Sequence, residues 1–275
     1  MYKIVDKKIL NDAVTLMTVA APEIANKVQA GQFVILIVDD RGERIPLTVA
    51  DFDRQKGTIT IIFQTVGYTT KKLAQLNIED SIHAFVGPLG KPTEFGTPKK
   101  AIVVGGGVGC AIALPQAKAL FNMGVDVDII AGFRNKDIVI LEDEMKKVCN
   151  NLYITTDDGS YGEKGFVTDV LKRLLEKDSY DLVVSIGPIP MMKFVSLTTK
   201  PFGIKTIVSL NPIMIDGTGM CGGCRVSVDG KIMFACVDGP DFDGHLVDFD
   251  ELSRRNAFYR EEESHACRME AQING

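Results

Sequence analysis

The stretch that most restricts how this chain can fold is Asp216-Gly-Thr-Gly-Met-Cys221-Gly-Gly-Cys224, with eleven residues separating Cys224 from Cys236. It reads acid-x₄-Cys-x₂-Cys…Cys, the plant-type spacing of a [2Fe–2S] site with a carboxylate in the first place. Such a cluster needs four anionic ligands and a turn tight enough for one short loop to supply three of them. Gly217, Gly219, Gly222 and Gly223 permit the positive φ values of that turn and let backbone N–H groups approach the sulfurs. The expected ligands are therefore Asp216, Cys221, Cys224 and Cys236. Two other readings stay open on the residues alone. Zinc is one, although zinc favours two Cys-x₂-Cys or Cys/His pairs and the chain offers one pair and no histidine at the right spacing. Unrelated buried thiols are the other. Should Asp216 not ligate, Cys110, Cys149 or Cys267 would have to be drawn in from far along the chain.

At 275 residues the chain should hold about two domains of roughly 100–200 residues each. A formal charge of −5, with no basic run or interleaved aromatic patch, argues against a nucleic-acid-binding surface. The opening Met-Tyr-Lys-Ile-Val-Asp brings charges too early for a signal peptide. The uncharged run over 101–117 is broken by four glycines and a proline, so it makes a poor spanning helix, and no membrane partner is expected. Six cysteines, three of them in one loop, suit a reducing compartment better than a disulfide framework, and a cytoplasmic location is expected.

Residues 1–97 read as strand after strand. The segments 2–10, 13–20, 32–38, 44–50 and 58–66 are short, rich in Val, Ile, Thr and Phe, and divided by turn residues, which predicts an antiparallel barrel or sandwich. One helix is expected over 69–76, opened by hydroxyls able to cap free N–H groups. Arg44 and Thr48 share one strand, and Gly67-Tyr68-Thr69-Thr70 stands at a helix N-terminus, a ready anion site. Together they suit a pyrophosphate with Arg44 as clamp. Taken separately, each is an ordinary strand end and an ordinary cap.

The rhythm changes near 96–100. Over 98–210, strands at 101–104, 126–131, 153–156, 182–186 and 206–210 alternate with helices at 111–123, 138–149, 166–177 and 191–197, which predicts a doubly wound parallel sheet. A ligand then sits at the carboxyl ends of the strands, where Gly105-Gly106-Gly107-Val108-Gly109, Gly132-Phe133-Arg134, Asp157-Asp158-Gly159-Ser160 and Gly187-Pro188 all fall. The glycine loop departs from G-x-G-x-x-G because Cys110 takes the third glycine's place, and neither Asp126 nor Asp128 stands where a ribose-binding acid belongs. Arg134 suits a 2′-phosphate, and Asp157 or Asp158 suits ribose hydroxyls; each also reads as a solvated loop charge.

Arg44-x-Pro46-Leu47-Thr48, Gly67-x-Thr69-Thr70, Gly87-Pro88-Leu89-Gly90, the glycine loop, Thr156-Asp-Asp-Gly-Ser160 and Gly187-Pro188 occur in that order. The order resembles the ferredoxin–NADP⁺ reductase superfamily, in the branch containing the electron-transfer subunit of dihydroorotate dehydrogenase. The tail, through Ser209-Leu-Asn-Pro, the cysteine loop, Phe234-Ala-Cys236-Val-Asp-Gly-Pro240 and Gly244-His-Leu-Val-Asp-Phe-Asp-Glu251, is most similar to the small-subunit family of the NADH-dependent reduced ferredoxin:NADP⁺ oxidoreductase, also known as a sulfide dehydrogenase subunit. The resemblance implies a flavin-binding β-barrel at 1–97, an NAD(H)-binding domain at 98–210, a [2Fe–2S] domain at 211–250 and a C-terminal tail at 251–275. It implies that Arg44, Pro46, Leu47 and Thr48 line FAD, that Ile62, Phe63 and Gln64 add backbone contacts, and that Gly67, Thr69 and Thr70 hold its pyrophosphate. The glycine loop would take NAD(H), with Ser185, Gly187 and Pro188 where the superfamily often has Cys-Gly-Pro. The implied function is electron transfer between NAD(H), FAD and the cluster. The implied partner is a large iron–sulfur flavoprotein subunit, which would carry the bifurcating flavin and exchange electrons with ferredoxin and NADP(H). The alternative is the electron-transfer subunit of a dihydroorotate dehydrogenase.

Overall fold

The structure, a computed structural model, describes residues 1–258. Cys267 and the rest of the expected tail beyond 258 lie outside the described residues. Seven strands make the first sheet: β1 (Tyr2–Asn11), β2 (Val14–Ala20), β3 (Phe33–Ile37), β4 (Arg44–Asp53), β5 (Thr58–Gln64), β6 (Ser81–Ile82) and β7 (Ala84–Leu89). Their order is β6-β1-β2-β5-β4-β3-β7, antiparallel throughout. The two edge strands, β6 and β7, are separated in sequence by His83 alone. Such a sheet has to curl until its ends nearly meet, which is the expected barrel. Alternation decides what fills it. Ile59, Ile61 and Phe63 of β5 point into the barrel core, whereas Ile62 faces the second domain. Helix α1 (Pro22–Ala25), which the spacing does not announce, lays Ile24 and Ala25 on the same core, and α2 (Tyr68–Gln75) adds Leu73.

The second sheet is built from β8 (Lys100–Gly106), β9 (Asp126–Phe133), β10 (Asn151–Thr156), β11 (Glu163–Lys164), β12 (Leu182–Ile186) and β13 (Lys205–Ser209), all parallel. In the order β11-β10-β9-β8-β12-β13 the winding reverses between β8 and β12, and a doubly wound sheet opens its ligand crevice at that reversal. Both faces are covered. Ala101, Val103, Val127 and Ile129 lie under α3 (Cys110–Asn122), while Ile102, Val104, Ile130 and Val183 meet α5 (Val167–Lys177) and α6 (Ile189–Thr199). The expected helix over 138–149 shrinks to α4 (Glu142–Lys146). Val139 and Ile140 oppose helix, because β-branched side chains lose rotamer freedom there; Leu141 then adopts φ 58° and starts α4 afresh.

The remainder forms the hairpin β14 (Arg225–Val228)–β15 (Lys231–Phe234), α7 (Ala235–Asp238), β16 (Asp241–Asp243) and α8 (Phe249–Asn256). This part has no separate interior. Cys224, Cys236, Phe249 and Leu252 share one buried cluster with Phe33 and Ile35 of the barrel and Met192, Val208 and Leu210 of the second domain. β16 pairs antiparallel with β13, so the C-terminal part supplies the edge strand of the nucleotide-type sheet.

Candidate cofactor cleft and cluster loop

A cleft of about 1020 Å³ opens between the barrel and the carboxyl ends of the parallel strands. Thr48 and Gln64 line it from the barrel, and Gly106, Gly107, Val108 and Gly109 from the glycine loop. Arg134 and Asp157 stand on one side, and Gly187 and Pro188 on the other. A third wall, Ser209, Leu210 and Asn211, follows β13 and leads into the cysteine loop. Sequence reasoning missed that wall, although the rule that marked the four other strand ends applies to it equally.

Close packing explains why the loop must be glycine. A Cβ on Gly109 would stand 2.5 Å from the Ile186 carbonyl oxygen, and one on Gly106 2.4 Å from Met191 Sδ. A Cβ on Gly105 would meet Cys110 Sγ at 2.8 Å. The loop therefore lies flush against β12 and the start of α6, which brings its backbone to the cleft surface. Cys110 sits wholly buried beneath it, and burial pushes its thiol up to about 12. It is a packing residue, inert as a nucleophile. Asp158 turns away from the cleft: its Oδ1 accepts from the Ser160 N–H at 2.9 Å and hydroxyl at 2.6 Å, and the Ser160 hydroxyl bond leads in holding its carboxyl below the usual range. Asp128 is buried and held by Asn151 Nδ2 and Tyr180 Oη, each at 2.7 Å, so it is an internal anchor.

At the barrel end, Arg44, Pro46 and Thr48 occupy alternate positions of β4 opposite Ile37, Ile35 and Phe33. Leu47 lies against the barrel core and Phe63 is part of it, which leaves them their backbone groups for contact. The hydroxyls at the start of α2 have local partners. Thr70 Oγ1 accepts from the Val66 and Gly67 N–H groups at 3.1 and 3.0 Å, and Thr69 donates to Glu43 Oε2 at 2.8 Å. The first backbone bond of α2 runs from Lys71 N–H to the Gly67 carbonyl. The N–H groups of Tyr68, Thr69 and Thr70 precede it, and Arg44 is exposed next in sequence to Glu43, the partner of Thr69, so these donors constitute the anion-binding capacity here. Nothing lies within 4 Å of where a Gly67 Cβ would be, so a bulky anion has room.

In the cysteine loop, Gly217, Gly219 and Gly222 hold φ of 77°, 83° and 68°. A Cβ on Gly217 would meet Ile35 and Leu89 side chains at 2.7 and 2.8 Å, so the loop is seated directly on the barrel wall. Its four candidate ligands fall into two pairs. Cys224 and Cys236 are buried with sulfurs 3.2 Å apart. Asp216 is tied to the exposed Cys221, whose N–H it accepts at 2.8 Å, and it also accepts from Thr218 N–H at 2.7 Å. The Thr218 bond first, then the Cys221 bond, hold the Asp216 carboxyl below its ordinary value. Burial, then the neighbouring Cys224, push the Cys236 thiol up to about 12. Among the described residues no three His, Cys, Asp or Glu side chains converge on one point. A tetrahedral zinc ion needs such convergence. A two-iron cluster takes two protein ligands on each iron, and a division into two pairs fits it. Cys110 and Cys149 belong to the core of the second domain, away from this loop's buried cluster.

Residues 211–248 match the iron-sulfur cluster binding domain of dihydroorotate dehydrogenase B. Over 97% of its length the chain is 54% identical to an uncharacterised protein from the adh 3′ region of Clostridium beijerinckii, of which it covers 93%. It is 45% identical, over 96% of its length, to the dihydroorotate dehydrogenase B (NAD(+)) electron transfer subunit homolog of Thermotoga maritima, of which it covers 93%. The chain belongs to the dihydroorotate dehydrogenase B electron-transfer subunit family. Within that family, the likeness read from the tail extends to the whole molecule. A chain of the NADH-dependent reduced ferredoxin-NADP oxidoreductase, solved for insight into flavin-based electron bifurcation, superposes with a TM-score of 0.93 at 43% identity, covering 98% of this chain and 97% of that one. Among the described residues, no helix of this family member is long and apolar enough to cross a membrane.

Proposed function

We propose that this chain is an electron-transfer flavoprotein subunit linking NAD(H), FAD and a [2Fe–2S] cluster. The observation that carries the reading is the single cleft walled by the barrel, the glycine loop and Ser209-Leu210-Asn211, with the cysteine loop continuing from the third wall. A flavin bound there would accept electrons in pairs from a nicotinamide and release them singly to a one-electron cluster. The chain's own residues bind and orient. The N–H groups of Tyr68, Thr69 and Thr70 at the start of α2, beside the open position of Gly67, and the Arg44 guanidinium hold the flavin's pyrophosphate. Pro46 and Thr48 flank the flavin from β4 with the backbone of Leu47, and the strand end Ile62-Phe63-Gln64 offers backbone groups. The Gly105-to-Gly109 turn lets the NAD(H) phosphates approach the chain closely. Arg134 and Asp157 contact its adenosine half, and Gly187 and Pro188 border the nicotinamide. Asp158 supports that rim through Ser160. Asp216, Cys221, Cys224 and Cys236 would hold the cluster. No acid–base dyad is required, since no bond of a substrate skeleton is cut.

The functional units are 1–97, 98–210, 211–250 and 251–275, with β16 of the third completing the sheet of the second and α8 running across the last boundary. The chain works as one subunit of a larger assembly whose partner is a large iron–sulfur flavoprotein that exchanges electrons with NADP(H) and ferredoxin by bifurcation. The carboxylate in the first ligand position favours this over a dihydroorotate-oxidising partner, which the match of residues 211–248 keeps as the second reading. Co-purification separates them: a pyrimidine-pathway barrel subunit in the native complex would establish the second. The reading as a whole is tested by anaerobic titration of the purified chain with NADH under visible absorption. Flavin and iron–sulfur bands bleach together if it is right, and Asp216→Ala lowers the iron content. Material free of iron and sulfide, or unresponsive to NADH, refutes it.

A further inference from the structure

Helix α8 lays Phe249 and Leu252 into the buried cluster that contains Cys224 and Cys236. Spacings of three and four residues keep a helix face constant, so Arg255 and Asn256 continue that face one turn on. Both reach across. Asn256 Nδ2 donates to the Asn211 carbonyl at 2.9 Å, on the third wall of the cleft. Arg255 Nη2 donates to the carbonyl of Gly223, between Cys221 and Cys224, at 3.4 Å. The Arg255 Nε–H is buried with no acceptor, and among the described residues no carboxylate pairs with this guanidinium. A half-buried cation with one long bond and an orphaned donor is costly unless negative charge stands near it. The loop it touches carries the acidic ligand set Asp216, Cys221 and Cys224. Neighbouring Arg225 and Arg254 are exposed, where water and salt screen them.

We propose that Arg255 is a positioning charge for the cysteine loop, a fixed cation that stabilises the electron the loop's metal centre accepts. The inference rests on the [2Fe–2S] reading. Reduction adds one electron and no proton, so the centre becomes one unit more negative while the guanidinium stays as it is. Removing that cation shifts the reduction equilibrium toward the oxidised form by about three- to tenfold, for a charge pair partly shielded by protein. At 59 mV per tenfold for one electron, this is a fall of about 30 to 60 mV.

The test is a dithionite titration of the purified full chain, followed by the electron paramagnetic resonance signal of the reduced cluster, with iron content measured in parallel. Arg255→Gln is expected to keep its iron and lower the potential, and Arg255→Lys to restore it to near the wild-type value. A Gln variant with full iron content and an unchanged potential overturns the proposal. So does a Lys variant that falls as far as Gln, or a Gln variant that loses its iron, which would make Arg255 a mechanical staple. A wild-type protein with no iron–sulfur signal defeats the cluster reading itself, an outcome distinct from all of these.

Discussion

Asp241 of β16 is the residue on which the three parts of the molecule meet, and its replacement gives a demanding test of how they are joined. Its Oδ2 lies 2.5 Å from the Thr93 hydroxyl, which follows the barrel, and accepts from Gln116 Nε2 of α3 at 3.1 Å. Its Oδ1 is buried without a partner, as is Gln116 Oε1. Among the described residues no cation pairs with this carboxyl, and burial pushes it above the ordinary carboxylate range. A neutral acid avoids burying an uncompensated charge here, with Oδ1 and Gln116 Oε1 still unpartnered. The proton on Oδ2 goes to Thr93 Oγ1, and the Thr93 hydroxyl is then free to donate to the Ala30 carbonyl, 3.3 Å away. Asp241→Asn keeps this shape, and rotation of the Gln116 amide presents its oxygen to the new NH₂, so the expected cost is about 1 kcal/mol or less. Asp241→Ala strands the buried Gln116 amide, while Thr93 keeps the Ala30 carbonyl, so the expected cost is about 1–3 kcal/mol. Linkage supplies a second signature. The unfolded carboxyl loses its proton near pH 3.9 while the folded one keeps it. As pH rises between the two values the native state binds more protons than the unfolded one, so Asp241 contributes a stability that falls with pH and levels off above the native value. Thermal unfolding of wild type and both variants from pH 4 to 8 measures this. The wild-type-minus-Asn difference in melting temperature should decline with pH. A difference that rises, or an Ala variant as stable as wild type, refutes the neutral-junction argument.

Two further outcomes follow from the packing. Gly109→Ala drives a methyl against the Ile186 carbonyl at 2.5 Å and Gly187 Cα at 2.8 Å, all backbone, so the glycine loop has to shift. Overpacking of about 1–3 kcal/mol should weaken NADH binding by about tenfold while flavin content holds, and an unchanged NADH titration would count against the loop's role. Tyr180→Phe removes the 2.7 Å donor to buried Asp128. It should lower stability by about 1–3 kcal/mol and leave cofactor spectra unaltered; a loss of NADH binding with unchanged stability would show that Asp128 serves the ligand after all.

The features that could be read without coordinates are those whose physics is local. The turn at 216–224 is one: Gly217, Gly219 and Gly222 take the positive φ values that its glycines permit. The apolar stripe of α5 is another: Val167, Val170, Leu171, Leu174 and Leu175 are buried as their period requires. The barrel and the doubly wound sheet emerge from alternation of the same kind. Where two local preferences competed, the reading slipped. Residues 138–149 have a partly helical pattern, but Val139 and Ile140 run extended past the cleft before α4 begins. For Leu47 and Phe63, in motifs associated with the flavin, strand alternation turns the side chains to the barrel core and leaves the backbone for contact, the role the resemblance implies for Phe63.

What the linear order of residues determined, then, is the inventory: a β-rich first third, alternating strands and helices, and a glycine-rich cysteine loop within an iron-sulfur cluster binding region. What the tertiary structure alone decided is how these meet. β16 is three residues long, Asp-Phe-Asp, with no pattern of its own, and becomes a strand because β13 presents an open edge to it. The Cys224–Cys236 contact, the Asp241 junction and the reach of Arg255 to Gly223 arise in the same way. Each joins groups that neither share a turn of helix nor face each other along one strand. Short-range preference cannot specify such contacts; they form when burial of three faces into one core brings distant segments into register.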